Sequence, residues 1–440
     1  MPRSQWETTS NALRFLRDAQ LDLPKQARTA YRRIRSWARV VAAFVWRRLM
    51  LRTTVIAITG SVGKTTAKEC LAAILSEHGR TLRTRDNQND AIGVPRNLLR
   101  LRPWHRYAVI EVGTEAPGMI RRFARLVKPH VAIVVSVART HTNAFPTLEE
   151  TAAEKASLLD HLARGGSAIL NGDDPRVRAM AERVRANRRV VIVGSTGACD
   201  VTAESVRAAW PDRLAFTAVG EFGALPVQTQ LVGAHWIGAA LTSLAAAQAC
   251  GVPLPVAAAR LADVSPFAGR MQPVTLPSGA VVIRDEENGS QDTLEAMVEV
   301  MRSARAERKV LVFSDLTDVK HNARKRLRDV GKIAAELAGL AVFVGEHAHH
   351  GVRGAIAAGM DPARCHDVIG LERAAALLSR ELRSGDLVFV KGRATDHLSR
   401  LVFAQFGSIG CWTTSCRRRP LCDVCDQLRP GFDLRRALAG

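Results

Sequence analysis

The stretch TVIAITGSVGKTTAKECL, residues 54–71, constrains this chain more than any other. An apolar run of strand length meets Gly60 and Gly63, and a helix-forming run begins at Lys64. The glycines let the backbone turn tightly enough to aim several N–H groups at phosphate oxygens, and the following helix adds the positive end of its dipole. At this spacing Lys64 reaches the terminal phosphates of a nucleotide and the Thr65 hydroxyl holds Mg²⁺. Gly60, Ser61, Gly63 and Thr66 complete the expected nucleotide contacts. The loop is shorter than the general G-x-x-x-x-G-K-[ST] form, because residue 58 is Ile rather than Gly.

Strand-like and helix-like runs alternate on either side of a break. VIAIT, YAVIEVG (107–113), HVAIVVSV (130–137) and SAILNGDD (167–174) read as strands of a mostly parallel sheet covered on both faces. An alanine-rich helical segment (234–262) then leads to PFAGR, 266–270. A second series follows: AVVIRD, KVLVFSD, LAVFVGE and DLVFVKG, each ending in Gly or an acidic residue, where open α/β sheets place ligand contacts. The expected organisation is a basic helical segment (1–52), a nucleotide-binding α/β domain (53–265), a second α/β domain (266–408) and a Cys-rich tail (409–440).

Composition narrows the function classes. The net charge is +21, and residues 1–52 hold twelve Lys or Arg against three acidic residues. That excess suits polyanions or an anionic membrane face, although arginine-rich composition alone also produces it. No apolar run is long enough to span a bilayer, and no secretory signal is legible, so a cytoplasmic protein is expected. From Tyr31 the apolar Ile34, Trp37, Val41, Phe44 and Val45 recur at helical spacing among Arg32, Arg33, Arg35 and Arg39. Two readings stand: a helix packed on the domain's flank, or peripheral contact of residues 28–52 with the inner face of a membrane.

Further segments carry a resemblance. NQNDAIGVPRNLL (87–99), VIEVGTEAPGMI (109–120), RTHTNAFPTLEETAAEKASLL (139–159), NGDDPRV, VGAHW and FAGRM follow the phosphate loop in order. Together they resemble the Mur ligase family, in particular its D-alanyl-D-alanine-adding branch, over roughly residues 53–400. The resemblance implies a central P-loop domain followed by a Rossmann-like C-terminal domain. It implies an ATP-dependent ligase making an amide bond through an acyl phosphate, with carboxylate and amine substrates and no specific nucleic acid. Glu111 and His141 are then Mg²⁺ ligands, and Lys155 aligns with a lysine that several members carry as a magnesium-binding carbamate. Asn87 and Asn89 are expected at the substrate. Arg270 matches the junction arginine that reaches the triphosphate on domain closure. Asp285 matches an aspartate of the D-D-x-Y-N-A-N-P motif, and Asn288 its first asparagine, by the adenine. Asp315 and Lys391, in VFSDL and VKGR, would line the side of the incoming amine.

The departures from the family pattern fall at the substrate ends. VGAHWIGAA has Trp236 and Ala239 where the family has asparagines, IRDEENGSQ keeps one of two aspartates, and KGRATD lacks a serine. About fifty residues precede the loop, too few for a domain that binds a UDP-sugar. The expected substrate is therefore unusual: a cell-envelope precursor, a polymer such as poly-γ-glutamate, or a specialised metabolite. Two other classes remain open, a binding protein that has lost catalysis and a nucleic-acid-dependent ATPase.

Cys70, Cys199, Cys250 and Cys365 are scattered and read as reduced core cysteines. Cys411, Cys416, Cys422 and Cys425 form C-x₄-C-x₅-C-x₂-C, a spacing that admits a structural zinc, an iron–sulfur cluster or no metal. Zinc is the expectation, with Arg417, Arg418 and Arg419 on a loop between ligands.

Overall fold

The computed structural model describes residues 25–85, 87–138, 144–184, 188–195, 198–315, 323–414, 416 and 421–438. His141 and Arg417–Arg419 lie outside the described residues.

The apolar runs become strands of two sheets. The first contains β1 (Thr54–Thr59), β2 (Thr81–Arg83), β3 (Tyr107–Glu111), β4 (Val131–Val134), β5 (Ser167–Asn171), β6 (Arg189–Gly194), β7 (Val201–Arg207), β8 (Ala215–Gly220) and β9 (Gly223–Gln228). Among the described residues their order is β2-β3-β1-β4-β5-β6-β7-β8-β9. Pairing is parallel from β2 to β7 and antiparallel between β7, β8 and β9. The antiparallel extension was not among the sequence expectations. β7 ends in an exposed run at Glu204–Arg207, β8 alternates half-buried with buried residues and β9 is largely exposed, so they lack the continuous apolar signature of the parallel strands.

The second sheet contains β10 (Gln272–Thr275), β11 (Val281–Asp285), β12 (Arg308–Phe313), β13 (Leu340–Val344), β14 (Cys365–Val368) and β15 (Asp386–Lys391), in the order β10-β11-β15-β12-β13-β14. Only the β10–β11 pair is antiparallel among these neighbours. The fold is thus α/β, with two largely parallel sheets in succession. In the first, order reverses around β1, whose C-terminal end opens between β3 and β4. Such a switch point is where ligands enter this architecture.

Helices relevant to the site are α1 (Lys25–Leu49), α2 (Lys64–His78), α3 (Gly93–Leu99), α4 (Met119–Val127), α5 (Leu148–Ala156), α6 (Ile237–Ala249), α7 (Gln291–Ser303) and α8 (Ser399–Phe403). α2 buries Ala67, Cys70, Leu71, Ile74 and Leu75 against the first sheet, as its 3-and-4 spacing dictates. α1 docks on the domain's flank through its C-terminal half. Ala43 and Met50 enter the core beside β1, and Trp46 Nε1 donates to Leu101 O at 3.1 Å. Arg47 and Arg48 donate to the carbonyls of Arg125, Leu126, Val127 and Lys128 at the end of α4, where cations offset the helix dipole.

The tail differs from the zinc-site expectation. Among the described residues, no three His, Cys, Asp or Glu side chains converge as a metal site. Cys422 is turned inward instead, where Arg400 Nε donates to its sulfur at 3.4 Å and His397 Nδ1 lies at 3.5 Å. Cys411, Cys416 and Cys425 stay half-buried. A core holds the tail: Ile409, Cys422 and Leu428 pack with Leu398, Leu401 and Phe403. Arg284, buried in β11, then clamps it by donating to Asp423 at 2.7 and 3.1 Å and to Glu286 at 2.9 and 2.6 Å. Burial opposes that charge, but the two carboxylates hold Arg284 above the usual arginine range.

Candidate active site

The phosphate loop leaves β1 and is stitched to the segment after β4. Ser61 N donates to Ser136 O at 2.9 Å, Val62 N to Ser136 Oγ at 2.9 Å, and Ala138 N to Ser61 Oγ at 2.9 Å. The Ser61 side chain is therefore spent on holding the loop. Gly63 has φ 83°, and a Cβ there would lie 2.9 Å from Val135 Cγ1, so both conformation and space demand glycine. Lys64 folds back in this state, its Nζ donating to the carbonyls of Gly60 at 2.7 Å and Ser61 at 2.9 Å.

Directly after the loop, Thr65 Oγ1 meets the end of β3. It donates to Glu111 Oε2 at 3.1 Å and lies 3.3 Å from Asn87 Oδ1. Asn89 Nδ2 donates to Glu111 Oε1 at 2.7 Å, while Thr84 Oγ1 accepts from Glu111 N at 2.9 Å. Glu111 is 1 % exposed, and Lys68 Nζ approaches it at 3.7 Å. The hydroxyl, carboxylate and amide oxygens gathered here are the hard donors that Mg²⁺ requires.

Lys155 enters from α5. That helix starts on a capping box in which Thr147 Oγ1 accepts from Glu150 N and Thr147 N donates to Glu150 Oε2, both at 3.1 Å. The cap fixes α5, and Lys155 lies buried in its last turn. Burial, and then the charge of Lys64, lower its pKa from 10.5 to about 7. The preceding Glu154 is spent on the start of α4, accepting from Gly118 N at 2.8 Å and Ile120 N at 2.7 Å.

The second sheet faces this group. Arg270 Nη2 lies 3.4 Å from Asn87 Oδ1, and Asn87 Nδ2 donates to Glu287 Oε1 at 2.5 Å. Asp285, at the end of β11, accepts from Lys391 Nζ at 2.5 Å, and Lys391 also donates to Asn288 O at 2.8 Å. Burial pushes Asp285 up and Lys391 down, each held back by the other's charge. Lys391 is fully buried against Asp285, and its carbonyl accepts from Ser314 N at 3.0 Å. Asp315 lies 3.4 Å from Arg326 and 3.8 Å from Arg393.

Between the loop and α7 lies a cavity of about 370 Å³, lined among others by Asn171, His235, Trp236, Arg270, Asp285 and Asn288. Burial, reinforced by Lys391, lowers His235 to about 3, so its ring stays neutral at any working pH. Trp236 Nε1 and Thr66 Oγ1 are buried and have no hydrogen-bond partner among the described residues. A buried donor without a partner at a cavity wall fits a site that a polar ligand completes. Asn171 and His235 were missed by the sequence reading of site residues. Asn171 shares the signature that marked Glu111, a polar residue ending a buried strand, and that signal was available in NGDD.

The sequence matches the Mur ligase middle domain over residues 58–247 and the Mur ligase glutamate ligase domain over residues 269–394. Over 347 residues it is 32% identical to the UDP-N-acetylmuramoyl-tripeptide–D-alanyl-D-alanine ligase of Escherichia coli K12, an alignment covering 77% of this chain and 74% of that one. The chain belongs to the Mur ligase family. The ligase of the same name from Mycobacterium tuberculosis H37Rv is 30% identical over 358 residues, covering 77% of this chain and 70% of the relative. A crystal structure of MurF from Acinetobacter baumannii superposes with a TM-score of 0.77 at 26% identity, over 84% of this chain and 80% of that one. MurF from Thermotoga maritima, solved in complex with ADP, shares the fold at a TM-score of 0.70 and 19% identity, over 82% of each chain. This Mur ligase is an ATP-dependent enzyme that joins a carboxylate to an amine, and it works with ATP and Mg²⁺.

Proposed function

We propose that this Mur ligase extends a cell-envelope precursor, joining its free carboxylate to an amino acid or a dipeptide such as the D-alanyl-D-alanine of its relatives. The observation that carries the reading is the bridge across the cleft. Asn87 touches Thr65 on one side and Arg270 and Glu287 on the other, so the second unit already reaches the phosphate loop. We read residues 53–265 and 266–408 as the two units that close, with residues 1–52 and 409–440 as extensions.

Lys64 leaves its own loop carbonyls to bind the terminal phosphates of ATP, while the cavity beside Trp236 and Asn288 takes the base. A substrate carboxylate oxygen attacks the γ-phosphorus, the bond to the β-bridging oxygen breaks, and ADP departs, leaving an acyl phosphate. The neutral amine nitrogen then attacks the acyl carbon, phosphate leaves with the C–O bond's electrons, and the departing phosphate takes up the proton that the nitrogen gives up. Mg²⁺ held by Thr65, Glu111 and a carbamylated Lys155 would neutralise charge on the transferred phosphoryl group. Lys155 suits the carbamate because an amine with a pKa of about 7 is substantially neutral, and so nucleophilic toward CO₂, near neutral pH. Arg270 adds a second positive charge over the same group. Asn89 orients Glu111, and the pair Asp285–Lys391 fixes the end of β11. Asp315 receives the incoming ammonium between Arg326 and Arg393, which are placed to hold a carboxylate.

The test is phosphate release and product mass spectrometry with UDP-muramoyl tripeptide, other envelope peptides and pooled amines. Phosphate is expected only when acid and amine are both present, and none from Lys64→Ala. ATP hydrolysis with no amide product from any pair would overturn the reading.

A further inference from the structure

α1 presents two opposite faces. One carries Ala43, Trp46, Arg47 and Met50 into the domain. The other carries Ile34, Trp37, Val41, Phe44 and Val45 at spacings of three and four, and all five are exposed, Ile34 by 66% and Trp37 by 69%. A helix docked by one face normally turns polar residues to water, whereas this one turns a tryptophan, a phenylalanine and three β-branched residues. Contiguous exposed apolar surface of this kind marks an interaction site.

The charge around the stripe selects the partner. Residues 25–52 contain nine Lys or Arg and no Asp or Glu. Arg33 and Arg35, both exposed, flank the stripe, and the Arg48 guanidinium lies 3.6 Å from the centre of the Phe44 ring at its far end. Two copies of α1 packed stripe to stripe would bring these arginines together with no carboxylate on either helix to pair them. An anionic lipid surface pairs them with phosphates and accepts the apolar side chains at acyl depth. No helix among the described residues is long and apolar enough to cross a membrane, so the contact is one that lies on the surface.

The helix also has a direction. Arg39 lies within electrostatic reach of Arg96, and Trp46 bonds Leu101, so α1 runs alongside α3 in the same sense. At 1.5 Å per residue, Tyr31 to Arg39 extends about 12 Å past that contact. This overhang lies at the end of α3 from which the loop bearing Asn87 and Asn89 enters the site.

We propose that the outward face of α1 seats this ligase on an anionic phospholipid surface, with Ile34, Trp37, Val41, Phe44 and Val45 inserted and the arginines on the headgroups. The proposal does not depend on which acid and amine the enzyme joins. It is tested by floating the full-length protein with vesicles of phosphatidylcholine alone and of phosphatidylcholine mixed with phosphatidylglycerol, at low and high salt. Binding is expected to the mixed vesicles and to weaken with salt. Trp37→Glu with Phe44→Glu lowers partitioning by about tenfold or more. Arg33→Gln and Arg35→Gln each lower it about fivefold. All variants keep the wild-type melting curve and ADP affinity, because none of these side chains enters the core or the site. Equal flotation with both vesicle types overturns the proposal, as does flotation unchanged in the Trp37→Glu, Phe44→Glu protein. A dimer in solution that these substitutions dissociate also overturns it, since the stripe then serves a second copy.

Discussion

Lys155 shows how a single residue joins stability to chemistry. It is 3% exposed, and its folded pKa of about 7 lies below the 10.5 of an unfolded lysine. Between those values the unfolded chain binds the extra proton, so stability rises with pH across that window. Below about pH 7 the full cost of burying the ammonium is present, and above about 10.5 it is gone. Lys155→Met removes that cost. The variant is expected to be more stable than wild type by a few kcal/mol at about pH 6, with the margin shrinking toward about pH 9. Its ligase turnover should fall at least about a hundredfold, because the anionic ligand proposed for its carbamate is lost. Urea unfolding at the two pH values, beside steady-state phosphate release, checks both halves. A variant less stable than wild type at the lower pH would contradict the assigned burial cost. Glu111 carries the complementary lesson: its carboxylate accepts from Thr65 and Asn89 and its backbone N donates to Thr84 Oγ1, so its place is set before any ligand arrives.

At the scale of elements, the phosphate loop is rigid because β4 and its extension hold it, and because Gly63 occupies a left-handed conformation against Val135. Gly63→Ala therefore strains the loop itself. It should cost about 1–2 kcal/mol of stability and weaken ATP binding at least tenfold, which thermal melts and calorimetric titration would show. Nucleotide affinity unchanged in this variant would mean the loop does not need its observed shape. The same elements explain what was legible beforehand. Glycines, Lys64 and Thr65 are legible because phosphate chemistry needs those residue types at that spacing, and the parallel strands because burial on both faces writes continuous apolar runs. β7, β8 and β9 left no such run: β7 is exposed from Glu204 to Arg207, β8 alternates half-buried with buried residues, and β9 is largely exposed. The cysteine spacing of the tail was compatible with a metal, but spacing does not report direction. Cys422 points into a core shared with Leu428 and Phe403, and the Arg284–Asp423 pair, 139 residues apart in sequence, was invisible until the chain folded. For Lys391 the position at a strand end was legible, but not its pairing with Asp285 on the neighbouring strand.

Across the whole molecule, function depends on how two sheets built separately present their strand ends to one another. The first offers Lys64, Thr65, Glu111 and Lys155, and the second offers Arg270, Asp285, Glu287 and Lys391. Asn87 joins them at the phosphate loop, with Arg270 at 3.4 Å and Glu287 at 2.5 Å, while Arg305 bonds Trp210 O and Asp212, and one buried apolar cluster takes in Val232, Trp236, Met297, Val300 and Met301. Arg270 belongs to the unit proposed to close, so its contribution should appear in the transition state rather than in nucleotide binding. Arg270→Ala is expected to lower kcat by about a hundredfold or more, the usual size for a charge aimed at a transferred phosphoryl group. ADP affinity should change by less than about threefold, because the phosphate loop and Trp236 remain in place. Small-angle scattering should then show the wild type contracting on addition of nucleotide and acid, and the variant contracting less. An equal loss of ADP affinity and turnover would make Arg270 a ground-state binding group, and the closing contact would have to be sought elsewhere in the cleft.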